Sequence, residues 1–402
     1  MTAPAVTKVF EALTHEGAEV RFVGGCVRDA VAQRPVRDVD LATADTPERV
    51  IELLEQASLK AAPTGIHHGT VTAIADGEAF EVTTLRRDVE TFGRHATVAF
   101  TDDWLADAER RDFTFNAMSC RPDGTLFDPF DGTDDLHAGR VRFVGDARAR
   151  MQEDYLRLLR LFRFQAHFGR GPIDRDALAA AREFAPSLAG LSGERVRNEF
   201  LRTLEAPDPL PILRDMIRNG VLAVILPEAG DLDRLAALLS LDAAAADPLL
   251  RLGALLSGGA AAVEAVADRL RLSNKQRDRL LQADAAARQL HPDMTKAQLR
   301  PLLYRMGRDC VSDALRLSSA AWHASNTVPA ALTDLWSEVS AWAGSQFPLR
   351  GEDALERGVA AGPQVGVLLR SVEDWWIAQD FAPDREACLA ELARRIEGVG
   401  DT

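Results

Sequence analysis

Four cysteines in 402 residues, Cys26, Cys120, Cys310 and Cys388, lie too far apart for a zinc site or a CxxC redox pair. They read as reduced thiols of a cytosolic protein. No apolar run reaches the ~18 residues that a membrane span needs, so no membrane partner is expected. The first twenty residues lack a basic start followed by an apolar stretch, and no signal peptide is expected. No fixed-period repeat is evident. Basic charge is in deficit, with a formal net charge of -14. That excludes a protein coated in basic surface, but not nucleic-acid binding, because the local field matters more than the total. Residues 151–220 alone escape the acidic bias, with 11 Lys and Arg against 10 Asp and Glu. A phosphate backbone would meet that segment before either flank.

Residues 19–25 and 36–41 read as strands around a short helix from about Cys26 to Gln33. Thr46-Pro47-Glu48 is a helix start, with a cap, a first-turn proline and an early acid, and that helix should run to about Ala57. Val71–Ala75 and Ala79–Thr84 read as strands joined by Asp76-Gly77, a strong hairpin signal. Residues 86–109 read as a long polar loop. Beyond Met151 leucine, alanine and arginine dominate. Helices are expected over 151–168, 174–184, 193–205 and 209–220, with later breaks near Pro227, Gly258-Gly259, Pro292 and Phe347-Pro348. The alanine-rich stretch 236–247 reads as packed helix. The expected fold is an α+β head over 1–145, an all-α neck over 146–220, and an all-α body and tail over 221–402.

Asp38 and Asp40 lie two apart in Arg37-Asp38-Val39-Asp40-Leu41. On a strand both would share one face. Like charges that close disfavour each other's ionisation unless a cation joins them, and carboxylate oxygens suit Mg²⁺, which also takes phosphate and water ligands. Upstream, Gly24-Gly25 lets backbone approach a ligand closely, and a helix starting there offers its N-terminus to phosphate. Separately, these features fit two solvated carboxylates and an ordinary turn. Together, from Val23 to Thr43, they resemble motif A of the class II tRNA nucleotidyltransferase and bacterial poly(A) polymerase family, within the polymerase-β-like nucleotidyltransferases.

Four further segments carry the resemblance. Arg110-Arg111-Asp112-Phe113-Thr114-Phe115-Asn116-Ala117-Met118 resembles motif B; by itself it also fits a capped, ion-paired helix start. Phe127-Asp128-Pro129-Phe130-Asp131-Gly132-Thr133-Asp134-Asp135-Leu136 resembles motif C, and its Asp-Pro and Asp-Gly-Thr are turn chemistry, a connector from head to neck. The expected helix Glu153-Asp154-Tyr155-Leu156-Arg157-Leu158-Leu159-Arg160-Leu161-Phe162-Arg163-Phe164 resembles motif D, with its Glu-Asp-x-x-Arg core. Tyr155, Leu158, Leu159 and Phe162 form an apolar stripe, with Glu153, Arg157 and Arg160 opposite. Asp154 and Arg157, one turn apart, fit a surface ion pair as well as a ligand-reading pair. Leu191-Ser192-Gly193-Glu194-Arg195-Val196-Arg197-Asn198-Glu199 resembles motif E, with Ser192 as a helix cap and Arg195 and Arg197 as braces or RNA contacts.

The resemblance implies template-independent addition of CCA to tRNA 3′ ends from CTP and ATP. Its metal site would be Asp38 and Asp40 with Mg²⁺, and Glu81, on the neighbouring strand, would complete a catalytic carboxylate set. Glu81 also fits the polar face of a hairpin. Nucleotide contacts are implied for Gly24, Gly25, Arg28, Arg111, Asp112, Asn116, Glu153, Asp154, Arg157 and Arg160. Asp154 and Arg157 would act as an amino-acid template that accepts cytosine and adenine and leaves polar groups unpaired against uracil and guanine. The segment 86–109 is linked in the family to nucleotide choice. Poly(A) polymerase, CC-only or A-only addition, and a catalytically silent RNA-binding relative are the alternatives. His67-His68 is read as a loop pair, because adjacent side chains diverge and no further His or Cys supports a metal. Nothing in the sequence sets an oligomeric state.

Overall fold

The computed structural model describes residues 3–66, 69–92, 95–230, 232–241 and 247–400. His67 and His68 lie outside the described residues. The chain forms two compact units, Met1–Ala229 with Arg269–Arg271, and Gly230–Asp268 with Leu272–Thr402.

The first unit begins with helix α1 (Pro4–Thr14), strand β1 (Val20–Val23), helix α2 (Gly25–Val31), strand β2 (Asp40–Thr43) and helix α3 (Pro47–Gln56). The Thr46 hydroxyl accepts from the Arg49 N–H, so the expected cap and start of α3 are both present. β3 (Lys60–Gly65), β4 (Thr70–Ala75) and β5 (Glu78–Thr84) follow. β4 and β5 form the expected antiparallel hairpin, turned at Asp76 and Gly77 with φ of 52° and 84°. With β8 (Ser119–Cys120) and β9 (Leu126–Phe127) these strands make one sheet in the order β3-β4-β5-β2-β1-β8-β9. The β2–β5 pair is parallel and places Asp40 opposite Glu81.

Two strand expectations need correction. The second strand starts at Asp40, not at residue 36. In the antiparallel register that sets Phe22 against Leu41, Asp38 would face Gly25, which has already turned into α2. Asp38 therefore stands on the approach to the strand. The segment 86–109 is also not a loop throughout. It holds a two-stranded hairpin, β6 (Arg86–Phe92) with β7 (His95–Phe100), and then α4 (Trp104–Glu109). Valine, threonine and phenylalanine in that stretch supply strand propensity that its charge obscures.

The helices that follow are α5 (Gly132–Ala138), α6 (Ala147–Glu153), α7 (Leu156–Phe168), α8 (Arg175–Phe184), α9 (Gly193–Leu204), α10 (Leu210–Arg218) and α11 (Val221–Ile225). The helix expected over 151–168 is two helices. Asp154, at φ -154° and ψ 108°, is extended and separates α6 from α7. Ser192 occupies the N-cap position of α9 without donating or accepting a side-chain cap bond. Leu158, Leu159, Phe162 and Phe164 of α7 are buried. Phe164 packs edge-on against Phe113 and Phe115, with centroids 5.1 and 5.4 Å apart, and this locks α7 to the motif B segment.

The second unit is helical among the described residues, from α12 (Asp233–Leu241) through α13 (Pro248–Leu255) to α21 (Arg385–Gly400). Its helices break near Gly258-Gly259, Pro292 and Phe347-Pro348 as expected, and α11 of the first unit ends just before Pro227. The alanine-rich stretch enters α12, and residues 242–246 lie outside the described residues. One core gathers Leu299, Val311, Leu315 and Leu335, and another gathers Val372, Trp376, Cys388 and Leu392. All four cysteines are free. Among the described residues no helix is long and apolar enough to cross a membrane.

Candidate active site

A cavity of about 1030 Å³ opens in the first unit. Eleven arginines and six carboxylates line it, so its field is positive although the chain is acidic overall. Its walls come from the β1–α2 turn, the start of β2, the motif B segment, the α6–α7 break and α9.

At the turn, Gly24 has φ +69°, which glycine adopts without strain. A Cβ there would stand 3.1 Å from Arg111 Nη1, so the guanidinium rests directly on this bare backbone. Gly25 begins α2 and lines the same wall. Arg28 donates to the Asn116 side-chain oxygen at 2.9 Å and pairs with Asp29 at 2.8 Å.

Asp38 is exposed and Asp40 half-buried, and both line the cavity. Burial, then the charges of Glu81 and Asp38, push the Asp40 carboxyl up to about 6 against the opposing pull of Arg111. This carboxylate is held ionised only reluctantly by the protein alone. A hard divalent cation, which takes oxygen ligands, is the group that the donor set fits. Glu81 shares a sheet face with Asp40 across the β2–β5 pair but is exposed and stands beside the cavity lining. Among the described residues no three His, Cys, Asp or Glu side chains are gathered closely enough to form a ready-made metal cage.

The motif B residues form a continuous polar chain. Asn116 donates to Asp112 Oδ1 at 3.0 Å, and Arg160 donates to Asp112 Oδ2 at 2.5 Å. Burial raises the Asp112 carboxyl, but Arg160 and Asn116 outweigh it and hold it below the usual carboxylate range. Arg160 and Arg163 both reach the buried Glu199 of α9, at 3.5 and 2.5 Å. Asp112, Asn116 and Arg160 are thus fixed before any ligand arrives. Arg111 donates to the Asn116 carbonyl at 3.3 Å and pairs with Asp107 at 3.0 Å.

Asp154 and Arg157 are not paired with each other. In the α6–α7 break Asp154 accepts from the Leu156 N–H at 3.1 Å and from Arg195 Nη2 at 2.6 Å. Arg157 pairs with Glu153 and donates to the carbonyls of Arg150 and Arg110 at 3.2 and 3.1 Å. Both Asp154 and Arg157 line the cavity; Glu153 stands behind Arg157 as its partner. Arg195 therefore braces Asp154, while Arg197 points elsewhere, to Asn198. Asp107 and Glu199 join this network although no motif assigns either a role. The i+3 and i+4 spacing of Asp107 to Arg110 and Arg111 was a usable signal; Glu199 meets its partners only through the fold.

A family model described as Poly A polymerase head domain matches residues 20–142. One described as Probable RNA and SrmB- binding site of polymerase A matches residues 172–232. The chain is 33% identical over 410 residues to CCA tRNA nucleotidyltransferase 1, mitochondrial, of Danio rerio, covering 98% of this chain and 94% of that protein. It is 31% identical over 414 residues to a CCA-adding enzyme of Lactobacillus delbrueckii subsp. bulgaricus, covering 98% and 99%. Among solved structures it resembles the Bacillus stearothermophilus CCA-adding enzyme in complex with CTP, with a TM-score of 0.78, 27% identity and complete coverage of both chains.

Proposed function

Because the chain belongs to the family of CCA-adding tRNA nucleotidyltransferases, we propose that it extends the 3′ end of tRNA with cytidine and adenosine from CTP and ATP, releasing pyrophosphate. The observation that carries this reading is the single cavity in which Asp38 and Asp40 meet an arginine-rich wall and the Asp154–Arg157 segment.

In this reading Asp38 and Asp40 hold Mg²⁺, with Glu81 beside them. Bound there, the cation would lower the pKa of the attacking 3′-hydroxyl and neutralise charge on the departing pyrophosphate. The Gly24-Gly25 backbone, Arg28 and Arg111 receive the triphosphate. Asp112 and Asn116, held by Arg160, receive the sugar hydroxyls. Asp154 accepts from the exocyclic amine shared by cytosine and adenine, and Arg157, steadied by Glu153, donates to the acceptor edge. The cytoplasm, where free thiols stay reduced, is the compartment that suits the four cysteines.

Asp38→Asn and Asp40→Asn test the metal assignment. Each should abolish incorporation into tRNA lacking its terminal CCA. Millimolar Mg²⁺ should raise the melting temperature of the wild type by about 1–2 °C and leave either variant unmoved. Near-wild-type turnover in a folded variant would remove the metal from these residues.

A further inference from the structure

We infer that Asp107, which belongs to none of the motifs, is a positioning residue for the triphosphate; this rests on the function proposed above. Asp107 lies near the end of α4 and is 4% exposed. Its Oδ1 accepts from Arg110 Nε at 2.8 Å and from the Arg86 N–H at 3.3 Å. Its Oδ2 accepts from Arg111 Nη2 at 3.0 Å and Nε at 3.3 Å. Burial raises this carboxyl, but Arg111 and Arg110 outweigh it and hold it below the usual carboxylate range.

All three residues that donate to Asp107 line the cavity, whereas Asp107 itself stands behind them. One carboxylate thus gathers two adjacent guanidinium groups that would otherwise repel and sample many rotamers. It fixes Arg111 over the bare Gly24 backbone, where Nη1 faces the turn. An ion pair serving only stability would have no reason to aim both cations into one cavity. Here the carboxylate preorganises positive charge where three phosphates must bind.

The test uses the full chain, tRNA lacking its terminal CCA, and the variants Asp107→Asn and Asp107→Glu. Asp107→Asn should raise KM for CTP and ATP together by about tenfold or more, with kcat much less affected. Inhibition by inorganic pyrophosphate, which has neither sugar nor base, should weaken by a similar factor. KM for tRNA and rejection of UTP and GTP should hold. Asp107→Glu keeps the charge and should give a smaller rise. A folded Asp107→Asn with a lower melting temperature but unchanged nucleotide KM overturns the inference. If Asp107→Asn does not fold, Asp107→Glu decides alone, and an unchanged nucleotide KM in it has the same meaning. A wild type that incorporates nothing would instead refute the proposed function. Titration of the same variants with ATP and pyrophosphate would then still read the effect of Asp107, so the two failures are distinguishable.

Discussion

Asp107 and Asp112 are buried carboxylates kept ionised by arginines, and this has a consequence for stability. Each has a folded-state pKa below its unfolded value. Their contribution to stability is complete above about pH 4 and is lost as pH falls through the folded values. Melting curves between pH 2.5 and pH 6 should therefore show an acid limb that is flatter in Asp107→Asn and Asp112→Asn than in the wild type. An unchanged limb in both would mean that neither carboxylate is ion-paired in solution. The candidate carboxylates Asp38 and Asp40 were legible from their spacing beside a glycine pair. What Asp107 does was not, because its value lies in where the fold aims Arg110 and Arg111. Glu199 and Asp112 come together through Arg160, and no local pattern reports a triad drawn from segments that far apart in the chain.

The break between α6 and α7 sets where Asp154 points. The apolar stripe of Tyr155, Leu158, Leu159 and Phe162 continues a helical period, so a helix through residue 154 was the natural reading. The structure overrides it with a local cap on the Leu156 N–H and a tertiary brace from Arg195. By contrast, the β4–β5 hairpin and the start of α3 rest on turn and cap chemistry a few residues long, and both were readable. Asp154→Ala or Arg157→Ala should admit UTP or GTP more than it weakens triphosphate binding, measured as relative kcat/KM for the four nucleotides. Unchanged selectivity with surviving activity would show that these residues serve the fold alone. The start of α5 offers a stability test. A Cβ on Gly132 would clash with the Thr114 carbonyl oxygen, because the motif C turn meets motif B there backbone to backbone. Gly132→Ala should destabilise the protein by about 1–3 kcal/mol in denaturant melts. A loss near zero would mean that this contact is not formed.

Over the whole molecule, a formal charge of -14 coexists with a cavity whose arginines outnumber its carboxylates. The composition alone gave only the averaged sign; the convergence of Arg28, Arg111, Arg157 and Arg160 required the sheet, the motif B segment and α7 to be assembled. The division into an α+β part and a helical remainder was readable because strand signals nearly vanish after Met151. The hairpin within 86–109 was not, because charged residues interrupt its pattern. As proposed, this cavity adds cytidine and adenosine to the 3′ end of tRNA. The most direct test is to sequence the 3′ ends made from tRNA lacking its last three nucleotides, with Mg²⁺ and all four nucleoside triphosphates present. The products should end in CCA and grow no further, with CTP alone giving only added C. Runs of adenosine, added uridine or guanosine, or unextended tRNA would contradict it.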